Sequence, residues 1–261
     1  MGYSKEWNEV LEFICDFEDK TFMSRVWFRG HSNSSYSLKS GLFREKHDDL
    51  FNYLYIEATN FDIFRSLGSH LHNNLRDWEL LFLMQHHGVK TRLLDWTESF
   101  AVALFFACAG WNDNDSSARI WLLDPAELNL LSIETPNAIG VNSIGAYEKT
   151  IQEPYTFHDS TVAIYPPRNN NRISRQRGTF TLQGNTLSAL DEEFNGELVK
   201  SKKLSFIDLQ PNVREDAIRY LNQSGIDYFS MYPDLEGLAR YVNDYSTSKN
   251  LSRNIMPKNH I

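Results

Sequence analysis

The chain has little cysteine, no long apolar run and no surplus of positive charge, and each shortage removes a class of protein. Two cysteines in 261 residues, Cys15 and Cys108, are too few for a disulfide scaffold and lack the spacing of a zinc site. Both fall in apolar helical patterns, which predicts buried free thiols in a reducing cytosol. The longest apolar stretch, residues 100–111, is too short for a bilayer span and reads as a buried helix. No charged and then apolar leader opens the sequence. A soluble, cytoplasmic protein with no membrane partner is therefore expected. Lys and Arg number 26 against 34 Asp and Glu, a net charge of −8, so a broad basic face for duplex DNA is not expected. A Walker loop, a dinucleotide-binding glycine fingerprint after a strand and a serine nucleophile elbow are also missing. No His or carboxylate cluster has metal spacing, so no metal is expected.

What remains is the composition of a globular protein with a full core, 41% hydrophobic and 23% charged. Aromatics are plentiful at 13%, which favours a core and a cleft rich in rings. Trp7, Val10, Leu11, Ile14 and Phe17 have the spacing of one helical face and predict a helix over 5–20. A short β-rich run at 25–28 follows. Residues 47–86 look mainly helical, interrupted near Gly68, and 45–90 read as a helical insertion beside the first core strand. An apolar helix is predicted over 99–110, with Thr97 as its N-cap. Strands are predicted at 118–123, 161–165, 178–182 and 203–209, and helices at 211–223 and 235–245. Residues 132–160 lack periodicity and read as a mobile loop over the cleft. The order of elements suggests an α+β fold, with residues 1–247 as one domain and 248–261 as a flexible tail.

Three polar islands interrupt this pattern. In Trp27-Phe28-Arg29-Gly30-His31 an arginine follows the β-rich run and is followed by glycine. A strand ending there points a fork of donors, suited to phosphate or carboxylate, into whatever lies beyond, and the glycine admits close approach of a ligand. A plain ion-paired arginine would have the same sequence. Residues 85–97, Gln-His-His-Gly-Val-Lys-Thr-Arg-Leu-Leu-Asp-Trp-Thr, crowd groups that are costly to bury unpaired. Asp95 is open to two roles there, a cleft carboxylate or an ion-pair partner of Arg92. The third island is basic: Arg168, Arg172, Arg175 and Arg177 lie in a stretch, 161–188, without an acidic residue.

Together these blocks resemble the FRG domain, a bacterial and phage family named for its Phe-Arg-Gly motif. The resemblance runs through Phe28-Arg29-Gly30, Gln85-His86, Thr91 to Thr97, the apolar helix 101–109, Gln176-x-Gly178-x-Phe180, Gly225-Ile226 and Tyr232 to Leu238. It implies an ADP-ribosyltransferase-like mixed sheet core with the helical insertion after the first core strand. By analogy it implies an NAD-dependent ADP-ribosyltransferase, a toxin or phage-defence effector with RNA, DNA or protein as acceptor, neutralised by an antitoxin partner. Arg29, Gln176 and His86 then stand as catalytic candidates. Arg29, Gly30, His31, Thr91, Asp95 and Thr97 would hold NAD, and Arg168, Arg172, Arg175 and Arg177 the acceptor. Many transferases of this fold carry glutamate where this chain has Gln176, and a neutral amide cannot supply that charge. Asp95 or Glu98 supplies it instead, or the reaction tolerates its lack, or the domain binds a nucleotide without turnover. A nucleotide- or nucleic-acid-binding module and an NAD glycohydrolase therefore stay open beside the transferase.

Overall fold

The strand that carries Arg29 lies inside the sheet, flanked on both sides. In the computed structural model, which describes residues 2–21, 23–111, 116–167 and 171–247, seven strands form one sheet: β1 (Trp27–His31), β2 (Leu93–Thr97), β3 (Ala118–Leu123), β4 (Ile139–Gly140), β5 (Val162–Tyr165), β6 (Gly178–Leu182) and β7 (Leu204–Leu209). Their spatial order is β4-β5-β6-β2-β1-β3-β7, with β4 and β5 parallel and the other neighbours antiparallel. The helices are α1 (Lys5–Asp19), α2 (Leu50–Leu67), α3 (Asp77–His86), α4 (Phe100–Ala109), α5 (Pro125–Ile133), α6 (Tyr147–Gln152), α7 (Asn171–Arg175), α8 (Glu193–Lys200), α9 (Arg214–Gln223), α10 (Tyr228–Met231) and α11 (Leu235–Thr247). The fold is α+β with a mixed sheet, and α2 and α3 form the insertion between β1 and β2. The expected tail, 248–261, lies outside the described residues.

Alternation along the strands sorts the core into layers. Phe28, Ile120 and Leu122 pack with Trp7, Ile14, Ala103, Leu104 and Ala217 of α1, α4 and α9. Their neighbours in sequence, Trp27, Trp121 and Leu123, face the other way, toward Leu128 of α5 and Leu198 of α8. A third cluster joins Leu93, Phe180 and Leu182 to Phe61, Trp78, Leu81 and Tyr147 of the insertion and α6. The first and third clusters lie over neighbouring parts of the sheet, and the space between them is where a cleft opens.

Several boundaries differ from the sequence expectations. The first strand is Trp27–His31 rather than 25–28, so Arg29 sits in mid-strand. Gly30 is required by α4: a Cβ there would stand 1.9 Å from the Ala103 carbonyl oxygen and 2.7 Å from the Ala107 nitrogen. Helix-on-strand packing, before any ligand, demands the glycine. Residues 93–97 are a strand, β2, not a connector. Thr97 is not the N-cap of α4; that position is Ser99, and Thr97 Oγ1 accepts from the Ser99 nitrogen at 3.1 Å. Residues 132–160 are ordered into β4, α6 and short 3₁₀ turns and do not line the cleft. Cys15 is exposed, not buried, while burial pushes the half-buried Cys108 thiol up to about 12.

The insertion is tied to the sheet by a buried polar knot. Arg92, fully buried, donates from Nε to Glu57 Oε1 at 2.6 Å and from Nη2 to Glu57 Oε2. Its Nη1 donates to the Gln183 carbonyl at 3.0 Å, and the Phe157 ring covers it with the centroid 4.5 Å from Cζ. Tyr147 Oη donates to the same Glu57 carboxylate. Burial alone lowers the Arg92 value, but Glu57 outweighs it and holds the guanidinium above its ordinary range. Asp95 therefore makes no pair with Arg92.

Candidate active site

The cleft exists because β1 and β2 part. The two strands pair at one position, Phe28 with Thr97, whereas β1 pairs with β3 along its whole length. Continued pairing would set Gly30 against Asp95. Instead the backbone of Asp95 is satisfied by a side chain: Arg29 Nη1 donates to the Asp95 carbonyl at 2.5 Å. The guanidinium bridges the splayed strands and forms part of the wall of a cleft of about 660 Å³, within the size range of small-molecule sites.

Arg29 is oriented by His31, two residues on and on the same side of the strand. Arg29 Nε donates to His31 Nε2 at 2.9 Å, so that ring nitrogen carries no proton. His31 is buried, and burial first, then the charges of Arg29 and Arg44, push it down to about 3. It is a neutral acceptor throughout the physiological range. Burial also draws Arg29 down to about 10, offset by Asp95 and reinforced by Arg44, which leaves the guanidinium charged at neutral pH. No carboxylate oxygen lies within ion-pair distance of Arg29 among the described residues.

The other walls come from distant segments. Gln85 and His86, at the end of α3, line one side with Phe82. His86 is half-buried, its ring edge-on to that of His87 at 4.9 Å between centroids. Val102, Ala103 and Phe106 of α4 line the other side. Asp95 opens into the cleft from mid-β2, and Thr97 closes the strand's end, donating to the Gln176 carbonyl at 2.7 Å. Gln176 stands in the turn between α7 and β6, where Arg177 takes a positive φ of 46°. Its side chain lines the cleft, and its Nε2 donates to the Met231 carbonyl at 3.1 Å.

Arg29, Gly30, His31, His86, Asp95, Thr97 and Gln176 are thus brought together around one cleft. Thr91 is not among them. It is buried behind Gln85, donating to Gln85 Oε1 at 2.6 Å and accepting from the Leu93 nitrogen at 3.1 Å. Arg175 and Arg177 are exposed and do not line the cleft. Arg168 and the side chain of Arg172 lie outside the described residues. Glu98 faces elsewhere, accepting from Tyr165 Oη at 3.2 Å and lining a separate depression with Glu18 and Arg25.

Sequence reasoning passed over Gln85, Arg44 and Tyr36 as site residues. Arg44 ends a 3₁₀ turn, Leu42–Arg44, and Tyr36 sits on a serine-rich loop edge-on to His31 at 6.0 Å. Neither has a periodic signal. Gln85 stands beside His86 at the end of an otherwise apolar helix, which was a usable sign of a polar task. Among the described residues no group of three or more His, Cys, Asp or Glu is placed to hold a metal, and no helix is long and apolar enough to cross a membrane.

No curated protein and no solved structure matches this chain. The FRG domain family model matches residues 24–116, from just before β1, through the insertion and β2, to just past α4. That span contains the Arg29, His86, Asp95 and Thr97 walls of the cleft and stops short of Gln176. Over these residues the chain is similar to the FRG domain family.

Proposed function

We propose that this cleft binds NAD and transfers its ADP-ribose to a macromolecular acceptor, as a toxin or defence effector does. The observation that supports this most is Arg29. It is a charged guanidinium on an interior strand, braced by a neutral histidine and a backbone carbonyl, with no carboxylate at ion-pair distance among the described residues. Such a group is prepared for an anion, and a pyrophosphate matches its fork of donors. Arg44 adds a second positive charge to the same cleft. The three motif residues of the family resemblance, Arg29, Thr97 and Gln176, stand on or beside the neighbouring strands β1, β2 and β6, so one extended ligand can touch all three.

Loss of nicotinamide passes through an oxocarbenium-like state, and an enzyme assists by holding the dinucleotide bent among fixed dipoles. Arg29 would hold the pyrophosphate, Thr97 and the start of α4 the nicotinamide side, and Gln176 and His86 the ribose. A second possibility, nucleotide binding without turnover, draws support from Gln176: its amide is neutral and already donates to Met231. NAD labelled in its adenosine moiety separates the outcomes. Label on RNA, DNA or protein supports transfer. Free ADP-ribose makes the protein a glycohydrolase, and intact NAD makes it a binding module.

A further inference from the structure

Among the described residues the cleft holds a single acidic side chain. Among the residues that line it, Asp95 alone carries a carboxylate. It is exposed to the cleft from mid-β2, while its own main-chain carbonyl accepts from Arg29. Its carboxylate is oriented by a relay whose donor directions are fixed at each link. The Leu93 nitrogen donates to Thr91 Oγ1 at 3.1 Å, so the Thr91 proton is committed outward, to Gln85 Oε1 at 2.6 Å. With its oxygen taken, Gln85 can present only its NH₂ group, and Nε2 donates to Asp95 Oδ2 at 2.9 Å. The relay therefore fixes where the Asp95 carboxylate points: Oδ2 is held by Gln85 Nε2. The other two candidates for this charge are unsuited to it: Gln176 is neutral and engaged with Met231, and Glu98 lies outside the cleft.

We propose that Asp95 is a catalytic carboxylate, positioned by Gln85 and Thr91, which supplies the negative charge that Gln176 cannot. This rests on the proposal that the cleft takes NAD. The bond between C1′ of the nicotinamide ribose and the ring nitrogen breaks, and its electron pair leaves with nicotinamide, which departs neutral. Positive charge grows on C1′ and the ring oxygen, opposite Asp95. An acceptor O–H or water forms the new C1′–O bond, and its proton passes to Asp95 and then to solvent.

The test uses the full chain as wild type and as Asp95→Asn, which keeps the size and removes the charge. Nicotinamide release is followed in a single turnover at pH 7, and ADP-ribose affinity by calorimetry. The variant is expected to release nicotinamide at least about 100-fold more slowly, in line with loss of one preorganised electrostatic group. ADP-ribose should bind within about threefold of wild type, since the product lacks the cationic centre. A wild type that releases nicotinamide, paired with a variant of equal rate, overturns the role of Asp95 alone. ADP-ribose affinity falling as far as the rate does so too, since it makes Asp95 a binding or structural group. A wild type that releases no nicotinamide overturns the NAD proposal, and the role of Asp95 with it.

Discussion

Replacing Glu57 with alanine strands a buried cation, and the size of the effect follows from its surroundings. Arg92 is fully buried between the insertion and the sheet, and Glu57 takes two of its hydrogen bonds and one from Tyr147. Without Glu57 the guanidinium keeps the Gln183 carbonyl and the Phe157 ring, neither of which offsets a full charge. Breaking a buried pair from one side costs about 3–5 kcal/mol, against a stability of roughly 5–15 kcal/mol for a whole domain. At about 2 °C per kcal/mol for a chain of this length, Tm should fall by roughly 6–10 °C. Thermal melts by circular dichroism at pH 7 measure this directly. Glu57→Leu combined with Arg92→Met removes both charges and should recover a large part of the loss, because the desolvation penalty disappears with the attraction. A Glu57→Ala protein melting within about 2 °C of wild type would refute the claim that this pair anchors the insertion.

Three further outcomes follow from the cleft and its floor. Arg29→Lys should weaken NAD binding at least about tenfold by calorimetry, because a point charge cannot reproduce the fork or hold both His31 and Asp95; unchanged affinity contradicts the assignment. His31 binds its proton only near pH 3 when folded, so stability is fully present above its unfolded value of 6.5 and declines as pH falls toward 3. Between pH 7 and 5 this one group should cost about 2 kcal/mol, and urea titrations of His31→Gln should show a shallower decline by that amount; parallel curves would contradict it. Gly30→Ala should lower Tm by roughly 2–6 °C, since overpacking against the α4 backbone costs about 1–3 kcal/mol. Wild-type Tm with reduced NAD affinity would restore the ligand-contact role for Gly30.

The late strands were legible in the sequence because 118–123 and 178–182 are β-rich runs with clear boundaries, and the structure keeps those bounds. The amphipathic α1 and α9 were legible from their 3.6-residue period. β2 was not, because Leu93–Thr97 carries Asp95 and Trp96 in a polar setting that reads as a loop; only long-range pairing with β6 makes it a strand. The meeting of Arg29, His86, Asp95, Thr97 and Gln176 at one cleft was expected from their being polar islands between core elements. What could not be read was the pairing within it. Arg92 looked available to Asp95, yet its partner, Glu57, lies 35 positions away on a helix whose face gives no hint of a buried acid. Thr91 looked like a ligand group by its place in the motif and is instead a buried support for Gln85. Gly30 reads in the sequence as a point where a ligand comes close, whereas the body packed against it in the structure is α4.

The measurement that bears most directly on the central claim is a structure determined with ADP-ribose bound. The ligand is expected between the α3 and α4 walls, with pyrophosphate oxygens within about 3.2 Å of the Arg29 guanidinium and the terminal ribose between Asp95 and Gln176. ADP-ribose bound elsewhere on the protein, or in the cleft with Arg29 still unengaged, would contradict the account.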